Sequence, residues 1–300
     1  MNTVLATAPM SPAAAPGRFS AIGYGMRLAF QWRLLVLWAA LLLIPALLAS
    51  GPIWSALGGA FDHSTHAADL AQRLDGVAVA DLQGLYKKGA GKIDGFFQLG
   101  FVLTVLLSPL LTGIAATAAR APARLGMRAL FKGGLEQYPR MFGMLLWSAV
   151  PLGVAFALGA AAGAAVDKQA EKAIVETDVS TIGILANVLL AVLFALAHTT
   201  VDAGRAVLTL DRRRVWPFKA WWDGVKLVKR RFLASVGSYL AITLAGGVVL
   251  AALAYARIQA SSGNWGLFAL GLLLTQLGAL TIAWMRCARL FALVKVAGSA

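Results

Sequence analysis

The stretch AHTTVDAGR, Ala197 to Arg205, sets an imidazole, a carboxylate and a guanidinium (His198, Asp202 and Arg205) four and three residues apart. Those spacings bring all three side chains to one face of an α-helix. Two kinds of chemistry fit. Asp202 and Arg205 can form a structural ion pair while His198 makes a helix contact, or the trio can line a path that relays a proton or small ion. The structural reading is preferred, because the three groups close an apolar run and lie within reach of its polar end. Catalysis would need a converging nucleophile, acid and base. No nucleophile elbow, HExxH or Walker pattern is present. DHSTH, with Asp62, His63 and His66, has no standard metal-ligand spacing and reads as a solvated loop. No metal or cofactor is expected.

The second informative stretch is WPFKAWWDGVKLVKRRF, Trp216 to Phe232. At helical spacing Phe218, Trp221, Trp222, Val225, Val228 and Phe232 share one side, and Lys219, Asp223, Lys226, Lys229 and Arg230 the other. Pro217 suits a first helical turn, where its missing N–H is harmless. Indole rings beside long basic stems favour the headgroup layer of a bilayer. Trp216, Phe218, Trp221, Trp222, Lys226, Lys229, Arg230 and Arg231 are therefore the expected lipid-interface residues. Nucleic acid is not expected as a partner, since apolar runs on both sides tie the segment to a membrane.

Composition supplies the elements that position these residues. Of 300 residues 59% are hydrophobic and 13% charged, and the mean hydropathy is +0.74, too apolar for a water-soluble surface. The net charge of +14 is scattered between apolar blocks. One cysteine, Cys287, excludes an internal disulfide. The uncharged segment Met1 to Pro16 has no basic region before a short apolar core, so no removable signal peptide is expected.

About 20 apolar residues cross a bilayer core as a helix. Six segments qualify: 34–54, 96–118, 141–164, 181–203, 233–255 and 265–287. Pro45, Pro109 and Pro151 predict kinks within or near the first three. Placing the N-terminus, 120–140, 202–232 and the C-terminus on one side puts 20 of the 27 Lys and Arg residues there. That side is expected to be cytoplasmic, with both termini. The expected organisation is a flexible tail, 1–17, then one all-α six-span domain, 18–300. An outer loop spans 55–95, and cytoplasmic amphipathic segments span 120–140 and 205–232.

A weak internal repeat accompanies this layout. A shift of 91 residues lays MRALFKGGLEQYPRM on FKAWWDGVKLVKRRF, matching Ala129 with Ala220, Gly133 with Gly224 and Arg140 with Arg231. AIGYGMRLAFQWRL, with Gly25 and Arg33, has the same character. The pattern reads as three units, each an amphipathic helix followed by a transmembrane hairpin.

The unit TTVDAGRAVLTLDRRRVWPFKAWWDGVKLVKRRFLAS, within about 190–240, resembles the membrane domain of some bacterial glycerophosphoryl diester phosphodiesterases and related multi-pass bacterial membrane families. The resemblance implies a bacterial inner-membrane six-helix domain. It does not imply phosphodiester hydrolysis, because the catalytic portion of those enzymes is a separate soluble barrel that this chain lacks. The functional expectation is a non-enzymatic module that binds anionic lipid and a membrane-protein partner or a second copy, in envelope or lipid homeostasis. The alternative is a small transporter or exporter with a polar path at His198, Asp202 and Arg205.

Overall fold

A computed structural model describes residues 18–61, 76–170, 176–213, 215–260 and 265–299. Asp62, His63 and His66 and the tail 1–17 lie outside them. Among the described residues there are eight helices and no strand: α1 Arg18–Ala29, α2 Trp32–Phe61, α3 Gly76–Arg120, α4 Met127–Ala170, α5 Glu176–Leu210, α6 Pro217–Arg230, α7 Phe232–Gln259 and α8 Trp265–Gly298. Six are long and apolar enough to cross a membrane, over Trp32–Gly59, Gly91–Arg120, Met127–Val166, Gly183–Leu210, Phe232–Gln259 and Trp265–Gly298. Each contains one of the six apolar segments read from the sequence.

Two elements differ from expectation. The described parts of the outer loop, 55–61 and 76–95, are helical: α2 continues to Phe61, and α3 begins at Gly76, well before the start of the second span expected at 96. The segment 120–140 does not form a separate surface helix. After a short connection it enters α4, 44 residues long with Pro139 and Pro151 inside, or about 66 Å at 1.5 Å per residue. Its first turns run antiparallel to the end of α3, where Gly133 and Gly134 lie against Thr117 and Ile114 and the Tyr138 hydroxyl donates to the Leu106 carbonyl at 3.1 Å. The glycines that weaken this stretch as an isolated helix let it approach α3 closely.

The long helices form hairpins α2/α3, α4/α5 and α7/α8, joined by packing of α3 on α4, α5 on α8 and α2 on α8. The start of α1, the end of α8, the connection 121–126 and the residues just after α5 meet at one end, here called the basic end. There Lys295 donates to the Ser20 carbonyl at 3.4 Å. Its core contains Leu34 and Trp38 of α2, Ile114 of α3, Met144 of α4, Leu208 of α5, Ile242 of α7 and Phe291 of α8, all buried. Each lies in the half of its helix nearest the basic end. The far halves expose Leu47, Phe156, Ile184, Leu185, Val248 and Leu272, an outward surface that water solvates poorly.

Three sets of contacts repeat around this core. Arg140 and Arg231, near the start of the second and third hairpins, reach the C-terminal end of that hairpin's return helix, and Arg33 reaches the connection that follows the first hairpin's return helix. Arg33 Nη1 donates to the Leu125 carbonyl at 3.4 Å, and Arg140 Nη2 to the Leu208 carbonyl at 2.8 Å and to that of Asp211. Arg231 Nη1 donates to Ser299 Oγ at 2.9 Å, and Nη2 to the Ser299 carbonyl. A cation there complements the negative end of the helix dipole. The segment preceding each hairpin packs instead on the previous unit's return helix. A Cβ on Gly224 of α6 would lie 2.5 Å from the Gly204 nitrogen of α5, and one on Gly25 of α1 would lie 2.5 Å from the Ala288 carbonyl of α8. The first turns of α4 use Gly133 and Gly134 on α3 in the same way. Unit one thus rests on unit three, two on one and three on two, which closes the ring.

Candidate functional site

The charged trio on α5 lies where the three units meet. His198 Nδ1 is 3.4 Å from Asp202 Oδ2, and Arg205 Nη1 donates to Asp202 Oδ1 at 2.8 Å. The structure adds a second source of charge, α8. Arg289 Nε is 3.9 Å from Asp202 Oδ2, and the Arg289 side chain is only 7% exposed. Its guanidinium lies over the Tyr239 ring at 4.7 Å, and Nη1 donates to Thr243 Oγ1 of α7 at 3.4 Å. His198 packs between the Phe194 and Tyr239 rings, at 6.0 and 5.7 Å. The trio is therefore brought together as expected, around one carboxylate.

These groups line a cavity of about 30 Å³ with contributions from all three hairpins: Trp38 and Thr112 from the first, His198, Asp202 and Arg205 from the second, Arg286 and Arg289 from the third. The ring contacts explain the arrangement. Ala288 meets Gly25 as Gly204 meets Gly224, so Arg289 and Arg286 occupy on α8 the places of Arg205 and Asp202 on α5. Gly113, 91 residues before Gly204, puts Ile114 and Leu111 in those places on α3. The third unit thus has arginine where the second has its carboxylate. Sequence reasoning did not bring Arg289 to this site, and it missed Arg286, Tyr239 and Trp38. Alignment of the units on their glycines would have brought out the two arginines. Nothing local points to Trp38 or Tyr239.

The cationic aromatic stretch forms α6, with Pro217 in its first turn. Its surface divides into three sectors, not the two read from the sequence. Ala220, Gly224, Leu227 and Val228 are buried against the protein, on a stripe whose Ala220–Gly224 spacing is the small-xxx-small signature of close helix contact. Val228, placed with the aromatic residues by the sequence reading, belongs to this stripe. Trp216, Phe218, Trp222 and Phe232 remain exposed, and Lys219, Lys226, Lys229 and Arg230 occupy the remaining exposed arc. Trp221 bridges the sectors: its indole N–H donates to Thr200 Oγ1 at 3.1 Å, and its ring lies 5.7 Å from that of Trp147 on α4. Trp147 is seven residues beyond Arg140, about 10 Å along the helix from the basic end. The aromatic end of α6 is therefore level with the outermost layer of the apolar helices.

A groove of about 580 Å³ runs along α6, lined by Arg213, Trp216, Phe218, Lys219, Trp222 and Lys226. A second, of about 640 Å³, runs along α1 at the corresponding place in the ring, lined by Tyr24, Arg27, Arg124 and Lys295 among others. In it Lys295 Nζ lies 4.6 Å from the centre of the Tyr24 ring. No group of His, Cys and carboxylate side chains able to hold a metal ion occurs among the described residues. Comparison with protein-family models, curated proteins and solved structures finds no match to this chain.

Proposed function

We propose that this protein is a non-enzymatic module of a bacterial inner membrane, with its basic end in the cytoplasm, that holds anionic phospholipid at that surface and presents it to a membrane-protein partner or a second copy. The observation that carries the reading is the three-sector surface of α6. One sector docks on α5, and the aromatic sector stands level with the outermost layer of the apolar helices. The cationic sector borders a groove large enough for a lipid headgroup. Each Lys or Arg near an anionic leaflet contributes about 1 kcal/mol; Asp223 also lines the groove and pairs with Lys226 at 3.2 Å, so the net excess of two cations favours anionic over zwitterionic lipid by roughly 2 kcal/mol. The groove of α1 supplies the same chemistry a second time.

The test is lipid retention. Native mass spectrometry of protein extracted from membranes containing phosphatidylglycerol and phosphatidylethanolamine should find the anionic lipid enriched. Trp222→Ala with Lys219→Gln and Lys226→Gln should reduce that enrichment at least severalfold. Unchanged enrichment in the triple variant would overturn the assignment to α6. A second reading, a small transporter, draws on the charged junction of the three hairpins; it requires Asp202→Asn to abolish flux without lowering protein abundance.

A further inference from the structure

We propose that the junction cavity is a binding site for a small inorganic anion of chloride size. Three observations converge on it. Arg205, Arg286 and Arg289 line the cavity with one carboxylate, Asp202, so its guanidiniums outnumber its carboxylates by two. Asp202 is already engaged by Arg205 at 2.8 Å. Arg289 is held 3.9 Å away in a site that is nearly sealed, and a buried guanidinium without a close counter-charge is costly.

The second observation is the unpartnered donors. Trp38 Nε1 and Arg289 Nε are both buried without a hydrogen-bond acceptor, and both residues line this cavity. The two side chains are more than nine-tenths buried. Each atom can only donate. His198, on the same wall, is already turned to Asp202, with Nδ1 3.4 Å from Oδ2. Buried donors of this kind are normally satisfied, and an occupant that accepts from several at once, bringing negative charge, answers both deficits. Water would accept the hydrogen bonds and leave the charge surplus untouched.

The third observation is size. A cavity of about 30 Å³ takes one water-sized or halide-sized body and is too small to enclose a whole phosphate group, which distinguishes it from the lipid grooves on α1 and α6. Arg286 lines the cavity and is exposed, whereas Arg289 lines it and is buried. The anion would thus be drawn in past the first and held against the second. Because Trp38, Arg205 and Arg289 belong to different hairpins, an occupant joins all three units at the centre of the ring.

The experiment uses the purified full chain in neutral detergent, with chloride or bromide replacing gluconate at constant sodium and ionic strength. Thermal unfolding is followed by tryptophan fluorescence. The wild type should gain stability saturably with halide. Trp38→Phe keeps a ring and removes one donor, and should weaken the apparent halide affinity about tenfold, as expected for one lost hydrogen bond to a charged group. Arg286→Gln, at an exposed position that tolerates substitution, should weaken it comparably, and Trp54→Phe at the far end of α2 should leave it unaltered. The proposal falls if halide has no effect at constant ionic strength, or if Trp38→Phe and Arg286→Gln respond like the wild type. A saturable response to short-chain phosphatidylglycerol with none to halide would also overturn it, in favour of a lipid phosphate.

Discussion

Replacing Asp202 by Asn removes the carboxylate from among three guanidiniums while keeping the volume of the side chain. The Asp202 and Arg205 side chains are 9% and 17% exposed, so little solvent screening offsets the loss. Breaking a buried pair by neutralising one partner costs about 3–5 kcal/mol. The Asn carbonyl can still accept from Arg205, which places the expected cost near the lower figure, about 3 kcal/mol. For a large domain each kcal/mol moves the midpoint by about 2–4 °C, which gives a fall of roughly 6–12 °C. Thermal unfolding of the detergent-solubilised protein reads this directly. The double variant Asp202→Asn with Arg205→Gln should lose less than the two single variants added together, by about 1–3 kcal/mol, since the groups are in contact. A shift under about 2 °C, or strict additivity in the double variant, would refute the claim that Asp202 is the counter-charge of Arg205.

The remaining predictions address the ring and the docking of α6. Gly224→Val should cost about 1–3 kcal/mol or more by pushing α6 off α5, because the new Cβ meets backbone at 2.5 Å; Gly237→Ala, whose Cβ meets nothing within 4 Å, should be neutral or mildly stabilising. Unfolding midpoints compare the two. Trp221→Phe removes the 3.1 Å hydrogen bond to Thr200 and should cost about 1 kcal/mol by the same assay, with Thr200→Val adding little once it is lost. Cys287 is fully buried, so a thiol reagent should leave it unmodified in the folded protein and label it stoichiometrically on unfolding; rapid labelling under native conditions would contradict the packing of α8.

Much of the fold is legible because apolar length is a one-dimensional property. The six segments needed only a count of uncharged residues, and the structure lengthens them without adding or removing one among the described residues. Their ends were less legible. Between Met127 and Met141 the sequence holds Pro139 and two glycines, which favour a break before the span, yet the helix runs through all three. In the corresponding place before α7 the chain does break, at Arg231, whose backbone leaves helical geometry at φ −125° and ψ 50°. The internal repeat rested on three identities in sequence. In the structure it is carried by contacts, with Arg140 and Arg231 each reaching the end of its own return helix and Arg33 the connection just after its own.

The site was half legible for a related reason. His198, Asp202 and Arg205 fall on one helix face, which spacing alone reveals. Arg289 reaches the same carboxylate, and Arg286 the same cavity, only because α8 packs on α5, a relation between segments 84 residues apart. The face of α6 was misjudged in one respect. Hydrophobicity ranks Trp and Phe above Ala and Gly, whereas the buried stripe is chosen by close approach, which Gly204 and Gly224 allow and large rings do not.

The orientation of the basic end decides whether α6 can meet an anionic leaflet at all. In a Cys287→Ser background, single cysteines at Arg213 and Lys168 can be treated with a membrane-impermeant thiol reagent in intact cells and in inverted vesicles. The account predicts that position 168 labels in intact cells and position 213 only in inverted vesicles. The opposite pattern, or labelling of both positions from one side, would contradict it.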